Sequence, residues 1–293
     1  MGMADIIPGV SGGTIAFITG IYEELINAIS SLDHHFIKNI LSFKFKAAFK
    51  EIPLNFLIPL FFGIISAILL TSRIVHFLLD NYSIYTWAFF FGLIVSSVIF
   101  LGKKIDGFFG PKNLLGLGIG AGLGYVIVSL VPVNTPNDYL YTFFAGMIAI
   151  CAMILPGISG AFLLLILGKY AFVTGALKNP LISNNFFTIM VFCMGCFLGL
   201  ISFSKFIKWA LEKHHSVMMA ILTGFMIGSL KKVWPWKIAL ETKVIRDKTY
   251  ILKEANFFPS LDSHFYIAVG FFIIGFVIVQ LLERSNRGVS SAG

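Results

Sequence analysis

Ala4-Asp5-Ile6-Ile7-Pro8-Gly9-Val10-Ser11-Gly12-Gly13 and Ala152-Met153-Ile154-Leu155-Pro156-Gly157-Ile158-Ser159-Gly160-Ala161 are two versions of one segment, 148 residues apart. The match runs without a gap to Gly20-Ile21-Tyr22 against Gly168-Lys169-Tyr170. Each version sets Pro-Gly-x-Ser-Gly inside an otherwise apolar stretch. Proline lacks a backbone donor and its ring clashes with the preceding turn, so Pro8 and Pro156 mark places where a helix stops.

Further matches recur at an offset of 132: Gly63 with Gly195, Ser72-Arg73 with Ser204-Lys205, Leu79 with Leu211, and Gly92 with Gly224. A longer loop after the first motif absorbs the difference of 16. The chain therefore reads as two copies of one unit within a single transmembrane domain, residues 1–137 and 138–293. Each copy is a re-entrant broken helix (1–29, 139–172) followed by three transmembrane helices. These are expected near 56–80, 83–102 and 113–133, then 183–211, 214–232 and 265–284. Tyr139–Leu155, 17 residues, precedes the second motif, but only the seven residues Met1–Ile7 precede the first. The first copy is expected either to be naturally shorter or to lack about ten residues of helix.

Composition sets the medium. Of 293 residues, 57% are hydrophobic and only 12% charged, with mean hydropathy +0.89. A soluble domain carries about 25% charge, so a water-soluble enzyme, a disordered chain and a nucleic-acid module are excluded. The net charge of +8 comes from short basic clusters beside apolar runs, as in loops of membrane proteins. Uncharged stretches such as Phe56–Ser72, Ser83–Gly102, Asn113–Asn137 and Phe265–Leu282 suit the roughly 30 Å hydrocarbon core. An all-α integral membrane protein is expected. Met1–Asp5 has neither a basic n-region nor a cleavage site, so no signal peptide is expected. The polar segments Ser30–Pro53, Lys103–Lys112 and Lys231–His264 read as solvated connectors. The last opens with an aromatic anchor at Trp234 and Trp236.

Irregular backbone at membrane depth is tolerated where it lines a cavity or is buried in protein. Broken helices at corresponding places in two halves point to a transporter's binding site. After each break a helix restarts at Ser11 or Ser159, with unpaired N–H groups at the positive end of its dipole. Gly9, Ser11, Gly12, Gly13 and Thr14, with Gly157, Ser159 and Gly160, are thus candidates to hold an anion such as a phosphate or carboxylate. Re-entrant motifs leave three spans per unit and invert the copies; crossing motifs make them parallel. Inversion is preferred as a recurrent transporter design. With the N-terminus inside, however, it puts the basic Lys231–His264 loop outside, against the positive-inside tendency.

Other patterns read as packing. Gly116, Gly120 and Gly124 form a close-contact stripe rather than a nucleotide loop, and Cys193-x-x-Cys196 lies within a span. His34-His35 and His214-His215 flank membrane segments. No catalytic set or metal cluster is evident, so no enzyme activity, cofactor or metal is expected.

Met3-Ala4-Asp5-Ile6-Ile7-Pro8-Gly9-Val10-Ser11-Gly12-Gly13-Thr14-Ile15-Ala16-Phe17 followed by Gly20-Ile21-Tyr22 resembles the signature of the PopT-type bacterial polyprenyl-phosphate transporters. Leu155–Gly160 and Gly224–Trp236 look like that family's later blocks. The resemblance implies a flippase of the bacterial cytoplasmic membrane. It would return undecaprenyl phosphate from the outer to the inner leaflet to recycle the carrier lipid of cell-wall synthesis. A phosphate head crossing bare hydrocarbon faces an ion-transfer penalty of tens of kcal/mol. Arg73 and its counterpart Lys205 are the candidate balancing cations, with snorkelling to the interface as the competing explanation. Asp5, which faces Met153 in the second copy, and Glu23 are candidates for coupling to a proton or cation, with Glu24 and His76 as alternatives. The competing functions are a channel or ion-coupled transporter for a small anion, and a membrane lipid phosphatase.

Overall fold

The computed structural model describes the chain apart from residues 8–9, 33–35, 37, 40–41, 45–49, 51, 134, 246–247 and 291–293. It gives the backbone alone for 242–245, 248–253 and 285–290. Pro8, Gly9 and the His34-His35 pair lie outside the described residues.

Three short helices open the chain: α1 Gly2–Asp5, α2 Gly12–Thr19 and α3 Tyr22–Ser30. Long apolar helices follow as α4 Leu54–Asn81, α5 Ser83–Lys104 and α6 Pro111–Ser129. Next come α7 Tyr139–Ile154, α8 Gly160–Ile166 and α9 Tyr170–Lys178. Then α10 Ser183–Val233, strands β1 Lys237–Ile245 and β2 Lys248–Asn256, and α11 Ser263–Ser290 complete the order. Among the described residues, five helices (α4, α5, α6, α10 and α11) are long and apolar enough to cross a membrane. The pair α8 and α9, bent by 111°, makes six if counted as one span. The chain is a helical multi-pass membrane protein.

The 51 residues of α10 measure about 76 Å at 1.5 Å per residue, more than twice the hydrocarbon thickness. The helix breaks at His214, where φ −139° and ψ 50° leave the helical region. Its two halves pack on different partners, the first on α7 and the second on α6.

Lipid tails are as apolar as leucine, so helix association rests on close packing rather than on hydrophobic burial. Small residues make that possible. A Cβ at Gly124 would stand 2.8 Å from the Phe225 carbonyl oxygen, and one at Gly120 would run into that of Ile221. Gly275 approaches the Phe89 carbonyl and Gly92 that of Phe272, joining α5 to α11 in the same manner. Large side chains such as Phe62, Leu69 and Leu70 on α4 point outward, as a lipid-facing helix requires.

The segment expected as a connector, Lys231–His264, joins α10 to α11 through an antiparallel hairpin in an otherwise helical chain. Lys237 pairs with Asn256 and Ala239 with Glu254. Lys237 and Ala239 point to one face of the hairpin and the exposed Ile238 and Leu240 to the other, the two-residue period of a strand. Trp234 roots the hairpin, its ring against Phe91 at 5.4 Å and its Nε1–H donating to the Phe257 carbonyl at 3.0 Å.

Candidate anion-binding site

The two interruptions meet. Ser11 Oγ–H donates to the Met153 carbonyl at 2.9 Å, and the Gly157 N–H donates to Thr14 Oγ1 at 2.8 Å. Gly157 turns the chain at φ +88°, a conformation glycine adopts without the steric cost of a Cβ. Thr14, Gly12, Gly13, Gly157 and Gly160 are all buried, so these backbones are sealed from solvent.

The donors at the start of α2 are already engaged. Gly12 N–H donates to Asp5 Oδ1 at 2.6 Å, and Gly13 N–H to Ser11 Oγ at 3.0 Å. A carboxylate from the chain itself therefore stands where the sequence pattern suggests an anion. Ser159 differs from Ser11: it is 7% exposed, lines a cavity, and its hydroxyl makes no hydrogen bond among the described residues.

That cavity has a volume of about 630 Å³ and opens between α1, the α4–α5 corner, α8 and the hairpin. Two lysines supply its positive charge. Lys232 Nζ lies 2.9 Å from Glu254 Oε2 and 4.7 Å from the centre of the Phe162 ring. Lys237 Nζ lies 3.9 Å from the same carboxylate oxygen, 3.7 Å above the Trp87 ring, and donates to the Lys232 carbonyl at 2.5 Å. Its side chain is 9% exposed. Burial, helped by the neighbouring Lys232 charge and opposed by Glu254, pushes its ammonium pKa down to about 8. Asp5, His76 and Asp80 complete the polar lining.

Two ammonium groups share the one nearby carboxylate of Glu254, while Asp5 and Asp80 lie elsewhere in the same lining. Each also lies over an aromatic face, Phe162 for Lys232 and Trp87 for Lys237, where a cation is favoured by the ring quadrupole. Alternate residues of β1, Lys237 and Ala239, with Glu254 across the strand pair, face this chamber. The end of α10 brings Lys232.

Arg73 and Lys205 are exposed and do not line the cavity, and neither forms an ion pair among the described residues. Each still shares a face with polar neighbours: Arg73, His76 and Asp80 along α4, and Lys205, Lys208 and Glu212 along α10, at i, i+3 and i+7. Glu23 sits apart, 3.0 Å from His215 Nε2.

Three contributors were not read from sequence: Lys232, Lys237 and Glu254. The excess of basic charge in a segment where the positive-inside tendency disfavours it was the available signal. Lys169, read from sequence only as part of the repeat, is fully buried and donates to Asn137 Oδ1 at 3.0 Å and to the carbonyls of Thr135 and Pro136. It is a structural tie on the loop before α7.

Interrupted helices meeting beside a chamber lined by two lysines in a multi-pass membrane protein fit a transporter, the class in which the matching family and relatives are named. More particularly, the chain belongs to the family described as "VCA0040-like: Undecaprenyl phosphate translocase-like", which matches residues 1–250. It is 42% identical over 247 residues to the polyprenyl-phosphate transporter of Vibrio cholerae, covering 83% of this chain and 78% of that one. It is 32% identical over 301 residues to the polyprenyl-phosphate transporter of Staphylococcus aureus, covering 97% of this chain and 93% of that one. No solved structure matches the chain.

Proposed function

We propose that this protein moves a polyprenyl phosphate such as undecaprenyl phosphate across the bacterial cytoplasmic membrane, from the outer to the inner leaflet. The phosphate head occupies the chamber beside Ser159 while the prenyl tail stays in lipid. Lys232 and Lys237, nearly buried and sharing one carboxylate, are the observation that carries this assignment. Both relatives bear the name of a polyprenyl-phosphate transporter.

The head displaces Glu254 from between the two lysines and accepts the Ser159 hydroxyl. Arg73 and Lys205, each on the same helix face as a polar cluster, contact the head as it passes between leaflets. Gly12, Gly13 and Thr14 act indirectly, fixing Asp5 and the second break. Asp5 is the coupling group: protonation lowers the negative charge around the chamber as the phosphate enters.

Inverted repeats fit this direction of transport. The packing of α5 on α11 has its counterpart in α6 on the second half of α10. Gly2 lies against Ala67 of α4, and Ile150 lies against Gly199 of α10, partners offset by 148 and 132 as in the sequence repeat. Both motifs turn at a left-handed glycine, Gly20 at φ +78° and Gly168 at φ +66°. With the N-terminus inside, the α4–α5 corner, Lys232 and the hairpin face outward, where the head is loaded. The basic hairpin segment is then retained outside because its lysines serve the chamber.

The test is translocation of a polyprenyl phosphate by reconstituted protein. Lys232→Ala with Lys237→Ala is expected to lower the rate by at least about tenfold at unchanged protein insertion. Wild-type rates in that variant, or chloride flux in vesicles free of lipid phosphate, would refute the assignment.

A further inference from the structure

A second, smaller cavity of about 310 Å³ lies between α3 and the break in α10. Its wall repeats the first. His76, Leu79, Asp80 and Ser83 line the large chamber, and the residues 132 positions further on, Lys208, Leu211, Glu212 and His215, line the small one. The covering segments correspond as well. Helices α8 and α9 of the second motif close the first cavity through Phe162 and Tyr170, and α3 of the first motif closes the second through Glu23 and Asn27.

The cavities also lie at opposite ends of one helix. His215 begins and Lys232 nearly ends the second half of α10. The 17 residue steps from one to the other span about 26 Å, close to the thickness of the hydrocarbon core.

We infer that the cavity lined by Glu23, Asn27, Lys208 and His215 is a second station for the same phosphomonoester head, on the membrane face opposite the first. This rests on the transport function proposed above. Basic groups again face carboxylates that a phosphate can replace, though here each has its own partner instead of sharing one. Lys208 Nζ lies 3.9 Å from Glu212, and His215 Nε2 lies 3.0 Å from Glu23. Asn27 adds an amide donor, and Ile26 and Leu211 form an apolar wall for the first carbons of the tail. The side chains here are half-exposed, which suits a station that releases the head more readily than the first holds it.

The experiment uses the full chain in vesicles, inserted in one orientation, with a short-chain polyprenyl phosphate carrying a photoreactive tail. Lys208→Ala with His215→Ala is expected to slow arrival of the lipid in the leaflet beside this cavity by about tenfold. Photolabelling of residues around the Lys232–Lys237 chamber is expected to persist in that variant, which also shows that it folds. Lys208→Arg, with His215 intact, is expected to transport within about twofold of wild type. Labelling at α3 is expected to be displaced by unlabelled polyprenyl phosphate and, at higher concentration, by inorganic phosphate, but not by polyprenol. Wild-type transport by the double variant, or equal displacement by polyprenol, overturns the second station while leaving the main function standing. A wild-type protein that moves no polyprenyl phosphate overturns both.

Discussion

Thr14 Oγ1 accepts a hydrogen bond from the backbone N–H of Gly157 at 2.8 Å, although 143 residues separate them. Each interruption is thereby completed by the other. A buried N–H freed by proline and glycine finds its acceptor on the opposing motif.

Replacing Thr14 with Val keeps the shape and removes the acceptor. An unpaired buried donor costs about 1–3 kcal/mol. Thr14→Val is therefore expected to lower the midpoint of thermal unfolding in detergent, and Thr14→Ser to stay near wild type. Equal midpoints for the two variants would show that the Gly157 donor finds another partner.

Lys237 sets an alkaline limit. Burial lowers its pKa to about 8, so the protonated fraction falls as pH rises through that value. Glu254 and Lys232 face it most closely, with His76, Asp5 and Asp80 around the same chamber. Binding of a polyprenyl phosphate is expected to weaken above pH 8, reaching about tenfold loss one pH unit higher if the contact requires the ammonium. Lys237→Arg, charged throughout this range, is expected to carry the alkaline limb upward. The measurement is affinity against pH for both proteins.

In the proposed binding mode, Glu254 competes with the phosphate head for Lys232 and Lys237. Glu254→Gln keeps the size of the side chain and removes its charge. Affinity for a phosphate-headed lipid is expected to rise several-fold, since a charge-assisted contact no longer has to be exchanged. A titration with a soluble short-chain analogue checks this; weaker binding would mean that Glu254 positions the lysines rather than competing for them.

Glycine substitutions separate contact from open surface. Gly120→Ala puts a methyl group into the Ile221 carbonyl, whereas Gly63→Ala meets nothing within 4 Å. The first is expected to destabilise the protein by about 1–3 kcal/mol. The second is expected to be neutral or slightly stabilising through helix propensity alone, worth up to about 1 kcal/mol. Thermal unfolding of the two variants side by side reads the difference.

Much of the helical framework was legible because membrane spans announce themselves locally. About 20 apolar residues in a row have few other uses, and proline with glycine shows where α7 stops before α8. What surrounds the chamber was not legible. Lys232 stands at the end of an apolar run, where snorkelling is the ordinary expectation. Lys237 and Glu254 belong to strands that are short, heavily charged and without a polar–apolar alternation, so they look like a solvated loop. Their meeting depends on strand pairing across some seventeen positions, which no local window contains. Asp5 was visible as an unmatched acid, yet its use as an acceptor for Gly12 N–H depends on a chain reversal that composition does not encode. Arg73 and Lys205 stood out by symmetry, and symmetry alone does not say which way a side chain points.

Consider finally the single carboxylate held between Lys232 and Lys237. Chloride, with one diffuse charge and no directional acceptors, gains little by evicting it. A phosphate monoester brings three oxygens and up to two charges to the same pair. In the transport proposed above, the arrangement would act as a sieve for valence and shape, turning monovalent halides away from the route.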